Sequence, residues 1–221
     1  MGSFIKCYTS CMSRFPHWKE ERLCIAQGYS LIAGIDEVGC GCWAGPVFAG
    51  CIILPIGVRL PLIRDSKLLS DRQRRYAYEH LREKAVAWSI GRASEKEIDH
   101  LNIRRASGLA MQRAIHKLSI TPTAVLSDAF RVPNIKIYNK NIIKGDRKVI
   151  SIAAASIMAK VERDTYMIDV AEKYPEYGFE KHKGYGTAQH KQAITLYGIT
   201  PIHRLSFKPI RNHLTPSPAC L

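Results

Sequence analysis

An α/β domain with a mixed sheet and a helical C-terminal extension is the fold class that the sequence predicts, and three observations predict it. Short apolar runs stand close together near the start, strand-like and helix-like periodicities then alternate, and the end mixes Gly, Pro, His and aromatic residues around one short helical piece. The 221 residues, 46% of them apolar, suffice for one sizeable core.

Leu31 to Ile35 is an apolar run ending at Asp36, and after a glycine-rich turn Val47 to Leu54 is another, closed by Pro55. Two adjacent strands are expected. Ser70 and Gln73 have capping-box spacing, and Ala77, Leu81 and Ala85 recur every four residues, so a helix is predicted from about Asp71. Val86, Trp88 and Ile90 alternate with smaller residues as a third strand. Ser94 with Glu97 repeats the capping signature before one long helical segment ending near Leu118, and Ala124 to Asp128, between Pro122 and Pro133, is a fourth strand. Ile142 to Asp146 is expected to be the fifth. Ile150 to Lys173, rich in Ala, Ile and Met without Gly or Pro, predicts a long helix ended by Pro175, and Ala188 to Tyr197 a shorter one stopped at Gly198. The first two dozen and last ten residues read as poorly ordered ends.

Thirty-three Lys and Arg against 19 Asp and Glu give a formal charge of +14, which favours a polyanionic partner, nucleic acid foremost. The charges are spread rather than gathered into a polybasic stretch, which disfavours a membrane surface. No apolar run has the length of a membrane span, and the start lacks a signal-peptide apolar region. The seven cysteines are odd in number and none forms a CxxC pair, so reduced thiols and a cytoplasmic location are expected. Cys40 and Cys42 flank one glycine, but no second pair or nearby histidine completes a zinc set.

Asp36 and Glu37 follow the first apolar run, Asp128 ends the fourth and Asp146 ends the expected fifth. Adjacent residues of a strand point to opposite faces, so Asp36 and Glu37 converge only where the strand gives way to a turn. Four acids gathered at one sheet edge repel one another unless cations neutralise them, and oxygen-only donors suit Mg2+ or Mn2+ rather than zinc. Each acid taken singly is equally well read as a turn residue or a helix cap.

Ala33 to Pro46 (AGIDEVGCGCWAGP), Asp65-Ser66-Lys67, Leu101-Asn102-Ile103, Leu126-Ser127-Asp128, Gly145-Asp146, Ser151 to Asp164, His182 to Thr187 (HKGYGT) and Pro201 to Arg204 together resemble bacterial ribonuclease HII, in order, from about Gly28 to Pro209. Ribonuclease HIII is the poorer match, since its first motif usually has Ser and Lys where this chain has Val38 and Cys40. The resemblance implies a ribonuclease H-like fold, with a central five-stranded mixed sheet flanked by helices. It divides the chain into an extension, flexible or helical, over 1–27, a catalytic domain over 28–210 and a flexible tail over 211–221. It implies a metal-dependent endonuclease that cleaves the RNA strand of RNA/DNA hybrids and cuts DNA duplexes containing ribonucleotides. The cut would fall 5′ of the ribonucleotide and leave 3′-hydroxyl and 5′-phosphate ends, a step in ribonucleotide removal.

Carried over by motif, Asp36, Glu37, Asp128 and Asp146 are the metal ligands for two Mg2+ or Mn2+ ions. Gly39, Cys40 and Gly41 lie against the ribose and sense its 2′-hydroxyl through the backbone. Tyr185 stacks on the next sugar, and Ser66, Lys67, Ser156, Lys160, Arg163, Lys183 and Arg204 suit phosphate contact. For each basic residue a solvated surface is the competing reading, and His182 and His203 are as readily structural as substrate-facing. The chain departs from the family at Cys40, where Arg is usual, at Ala129-Phe130, where Gly-Asn is common, and at Leu68, which replaces a frequent Lys. A monomer is the simplest expectation. Recruitment by a sliding clamp is open, the tail from His213 to Leu221 showing no clear clamp-binding pattern.

Overall fold

A computed structural model describes residues 15–214. One five-stranded sheet runs in the order β3 (Ala87–Ala93), β2 (Val47–Ile53), β1 (Ile32–Val38), β4 (Ala124–Asp128), β5 (Tyr138–Ile142). β1, β2 and β3 form an antiparallel meander, and β4 and β5 add in parallel on the other side of β1. The mixed sheet expected from the sequence is present, and its two faces are covered by different helices.

Alternation along β1 decides which residue meets which helix. Ala33 and Ile35 point to the face packed by α4 (Ile103–Lys117), in a core with Ala49, Cys51, Ala110, Met111 and Val125. Gly34 and Asp36 point to the opposite face, covered by α5 (Ile150–Lys173). Residues 152–159 of α5 are all buried, as a helix crossing the middle of a core requires. The helix lies so close that a Cβ on Gly34 would stand 2.3 Å from the Ser151 carbonyl oxygen, and one on Gly50 2.3 Å from that of Ala155. Gly50 is the β2 partner of Asp36, so the glycine that admits α5 also sets the helix beside that acid. α2 (Asp71–Lys84), with the capping box of Ser70 and Gln73 formed, packs Ala77 and Leu81 against α5.

Three sequence expectations are corrected, and of the two alternatives for the N-terminal extension the helical one is seen over part of it. The fifth strand is Tyr138–Ile142, five half-buried residues on an edge strand, and Asp146 sits instead in a 3-10 turn, Gly145–Arg147, that leads into α5. The long segment after Ser94 is two helices, α3 (Glu95–Leu101) and α4, broken at Asn102, whose φ of 69° no helix accommodates. Asn102 turns the break to use, since its side chain accepts the Arg105 amide and caps α4. Within the N-terminal extension, Lys19–Ala26 forms helix α1, and buried Glu21 accepts the Ser151 amide at 2.9 Å. The start of α5 has no side-chain cap of its own, so α1 supplies one. Finally, α8 (Lys208–Leu214) runs past 210, so the first four residues of the expected 211–221 tail are helical, the rest lying outside the described residues.

The C-terminal extension is helical as predicted. α6 (Phe179–His182), α7 (Ala188–Tyr197) and α8 gather Phe179, Ile194 and Ile210 on Met167, Val170 and Ala171 of α5. Cys24, Cys40, Cys42 and Cys51 are free thiols; Cys7, Cys11 and Cys220, with the rest of the two ends, lie outside the described residues. Among the described residues, no helix is long and apolar enough to cross a membrane.

Candidate active site

A cleft of about 280 Å3 opens at the end of β1 and β4, lined by Asp36, Glu37, Asp128, the loop Gly39 to Gly41, Ser66, Lys67, Ser156, Lys160 and Tyr185. Asp36 and Glu37 lie within β1 and not at its tip. They share one cleft because the parallel pairing with β4 ends at Ile35 with Ser127, which leaves that edge of β1 open just where the acids begin. Asp128 follows as the last residue of β4. Asp146 is buried and not among the residues that line the cleft, yet it is close enough for its charge to act on Asp36 and to feel that of Asp128.

Burial and mutual repulsion tell on these groups. Asp36 is held well above the usual carboxylate range by burial and then by Glu37, against the opposing hydrogen bond from Ser156. Burial, with Asp128 next, raises Glu37 to about 7, and Asp146 is raised by burial and by Asp128. Uncompensated acids in one low-dielectric place invite a cation. Among the described residues no three His, Cys, Asp or Glu side chains make a ready-formed metal cage, so the single cluster expected from the sequence is looser than a closed site. The reason is visible in the hydrogen bonds: Asp36 Oδ1 accepts the Glu37 amide, and Asp128 Oδ1 accepts those of Ala129 and Gly145, all at 2.8 Å. The donor set still fits a hard divalent ion, being all oxygen, and Glu37 Oε2 is buried with no partner.

The side chains around the acids are set by α5 and by a 3-10 turn at Ser66–Leu68. Ser156, Lys160 and Arg163 recur at helical spacing on α5. Ser156 reaches Ser66 Oγ at 3.1 Å, joining helix and turn, while Asp65 caps the turn by accepting the Lys67 amide and pairs with Arg147 at 3.0 Å. Lys160 pairs with Asp164 at 2.7 Å and lies 5.8 Å from the Tyr185 ring centre. Tyr185 is 41% exposed at the cleft mouth; burial of its hydroxyl end, with Cys42 beside it, raises that group to about 12. The Cys40 thiol stands between Glu37 Oε1 at 3.8 Å and Ser107 Oγ at 3.3 Å, and burial followed by the Glu37 charge pushes it up to about 12.

Three residues expected at phosphates lie elsewhere. Arg163 is fully buried and donates to the carbonyls of Pro46, Ala44 and Lys183 at 3.0–3.2 Å. Arg204, also fully buried, donates to Gly45 and Cys40 carbonyls at 2.8 and 3.1 Å. Neither guanidinium is free for a ligand, because each is enclosed in the segments it ties together. Lys183 does not line the cleft; its left-handed backbone (φ 51°) turns its carbonyl to Arg163, and its ammonium bonds the Glu180 carbonyl. His182 and His203 are structural. Their rings surround His190, a residue the sequence reading missed, with His182 stacked on it at 4.5 Å and His203 Nε2 at 3.1 Å, while His190 Nδ1 bonds the Tyr185 carbonyl. The signal for it was there: His190 is the N3 residue behind the Thr187 cap of α7.

The family model for ribonuclease HII matches residues 33–210, which takes in every element of this site. The chain belongs to the ribonuclease HII family. A curated ribonuclease HII from Halalkalibacterium halodurans is 48% identical over 186 residues, covering 84% of this chain and 70% of its own. One from Desulfitobacterium hafniense is 47% identical over 196 residues, covering 89% and 75%. Among solved structures, the ribonuclease H2 of Pyrococcus horikoshii OT3 superposes with a TM-score of 0.67 at 25% identity, over 83% of this chain and 97% of the other. Ribonuclease HII enzymes are endoribonucleases of the ribonuclease H type 2 class, and this sheet with its flanking helices is the ribonuclease H-like fold.

Proposed function

We propose that this ribonuclease HII is a metal-dependent endonuclease that cuts the RNA strand of RNA/DNA hybrids and cuts 5′ of single ribonucleotides in duplex DNA, leaving 3′-hydroxyl and 5′-phosphate ends. The observation that carries this reading is the cleft lined by Asp36, Glu37, Asp128 and two lysines, with Asp146 in the turn close by, Asp36, Glu37 and Asp146 being raised by burial and by neighbouring carboxylates. A protein that only bound phosphates would gain nothing from negative charge there. Asp36, Glu37, Asp128 and Asp146 would hold the metal, Mg2+ or Mn2+. Bound there, hard divalent ions supply activation of the attacking water and neutralisation of the leaving oxygen.

The chain's own groups do the remaining work. Lys67 and Lys160 draw the phosphate backbone into the cleft, and Ser66 and Ser156 fix the wall on which the acids rest. The loop Gly39 to Gly41 offers backbone amides to the ribose, and the exposed Tyr185 ring offers an apolar face to the neighbouring sugar. A DNA duplex carrying one ribonucleotide, incubated with the purified chain and Mg2+ or Mn2+, is expected to yield a single nick 5′ of the ribonucleotide and a ligatable 3′-hydroxyl. Retained binding with no cutting in either metal would sink the enzyme reading. The nicking serves ribonucleotide removal from DNA, on this reading, and requires no membrane.

A further inference from the structure

We infer that Arg204 is a positioning residue for ribose recognition: it acts through one peptide unit, fixing the direction in which the Gly41 amide points. The inference rests on the proposal that the Gly39 to Gly41 loop reads the 2′-hydroxyl. A trans peptide is planar, with its C=O and N–H pointing in opposite directions. Arg204 Nη1 donates to the Cys40 carbonyl at 3.1 Å, and that carbonyl shares its peptide plane with the Gly41 amide. Drawing the oxygen inward therefore aims the N–H outward.

Two further observations support a role beyond packing. Gly41 lines the cleft, a Cβ there would meet nothing within 4 Å, and among the described residues its amide has no acceptor. A backbone donor at a cleft wall with no partner awaits one. Arg204 itself is fully buried, and among the described residues it belongs to none of the ion pairs and its Nη2 has no hydrogen-bond partner. Such a charge is costly in a protein interior and burial lowers its pKa to about 10. Its bond to the Cys40 oxygen polarises the same peptide, which strengthens Gly41 as a donor. Arg163 completes the brace, with its bonds to Ala44 and Pro46 at the far end of the loop. Gly39 has no room for a side chain because a Cβ would stand 2.2 Å from Arg163 Nε.

Lysine keeps the charge of Arg204 and loses the fork that holds Gly45 and Cys40 together. The test compares wild type with Arg204→Lys on two duplexes, one with a single ribonucleotide and one all-deoxy, bound in chelator so that nothing is cut. The amide signals of Gly39 and Gly41 are read by 15N NMR beside the affinities. In wild type the Gly41 amide is expected to shift with the ribonucleotide duplex only, and in Arg204→Lys the affinity ratio of the two duplexes is expected to fall on the order of tenfold, the worth of one charge-assisted hydrogen bond. Binding of the all-deoxy duplex should stay within a few-fold, which a general loss of structure would not allow. Equal Gly41 shifts with both duplexes would defeat the underlying reading of the loop. A ribonucleotide-only shift with an unchanged ratio in Arg204→Lys would overturn the role of Arg204 alone. If the variant does not fold, the Arg204 Nη1–H signal of the wild type, the donor to the Cys40 carbonyl, decides: it should move with the ribonucleotide duplex in step with Gly41, and a still signal refutes the coupling.

Discussion

Cys40 stands where the resemblance leads one to expect arginine, and its half-buried thiol lies in contact distance of Glu37 and Ser107. An arginine cannot occupy that space and must turn toward the cleft mouth, where it adds one cation near the phosphates. Cys40→Arg is therefore expected to tighten duplex binding by about tenfold at most and to steepen its salt dependence by about one counterion. Fluorescence anisotropy across a salt series measures both. A gain in cutting rate of many orders of magnitude would show that the side chain at this position, and not the backbone, does the reading. Asp36, Glu37 and Asp128 end or follow apolar runs, but only the family motifs singled them out from turn residues, and Arg163 and Arg204 were misread. A charged residue in a sequence is read as surface, and only the fold reveals that these guanidiniums are spent on loop carbonyls.

Periodicity and caps carried most of the elements. β1, β2 and β4 follow apolar runs, α2 follows its capping box and α5 its long Gly-free stretch. What failed has physical causes. β5 is a polar edge strand, Tyr-Asn-Lys-Asn-Ile, paired on one side, so it needs no apolar alternation, and that misplacement carried Asp146 to a strand end it does not occupy. α1 turns Glu21 and Cys24 inward and so shows no apolar stripe. Its importance is testable through the bond to Ser151. Glu21→Ala should cost about 1–2 kcal/mol, the usual loss of a helix cap. Glu21→Gln keeps an acceptor and removes an acid that burial already raises, so its denaturation midpoint should lie close to wild type. Equal losses in the two variants would show that the carboxylate itself, and not merely an acceptor at that position, is what the start of α5 needs. Gly50→Ala should cost about 1–3 kcal/mol by pushing α5 off the sheet, and should lower cutting too, since Ser156 and Lys160 move with the helix. Chemical denaturation and a nicking assay on the same preparation test that coupling.

At the scale of the molecule, two parts meet at the cleft. The sheet domain brings the acids and the C-terminal helices bring Tyr185, joined by the Trp43 amide to the Gly184 carbonyl at 2.8 Å and the Arg204 amide to the Trp43 carbonyl at 2.8 Å. The histidines behind Tyr185 make this joint sensitive to acid. Burial lowers His190 and His203 to about 4, below their unfolded value of 6.5. Between those values the unfolded chain binds more protons, so stability falls as pH drops from about 6.5 toward 4. Thermal melts over that range should show the fall, and His203→Gln should flatten it; an unchanged slope would contradict the assignment. The basic charge of the whole chain was legible from composition, whereas the division of labour between sheet and extension was not, because no local pattern links Trp43 to Gly184.

The central claim is that the acids at this sheet edge cut a ribonucleotide-containing strand with the help of a divalent ion. Nicking of a duplex with one ribonucleotide, compared between wild type and Asp36→Asn in Mg2+, Mn2+ and chelator, tests it most directly. The account predicts cutting by wild type with metal only, and binding without cutting by Asp36→Asn in every condition. Cutting that persists in chelator, or an Asp36→Asn variant that nicks at the wild-type rate, would contradict it.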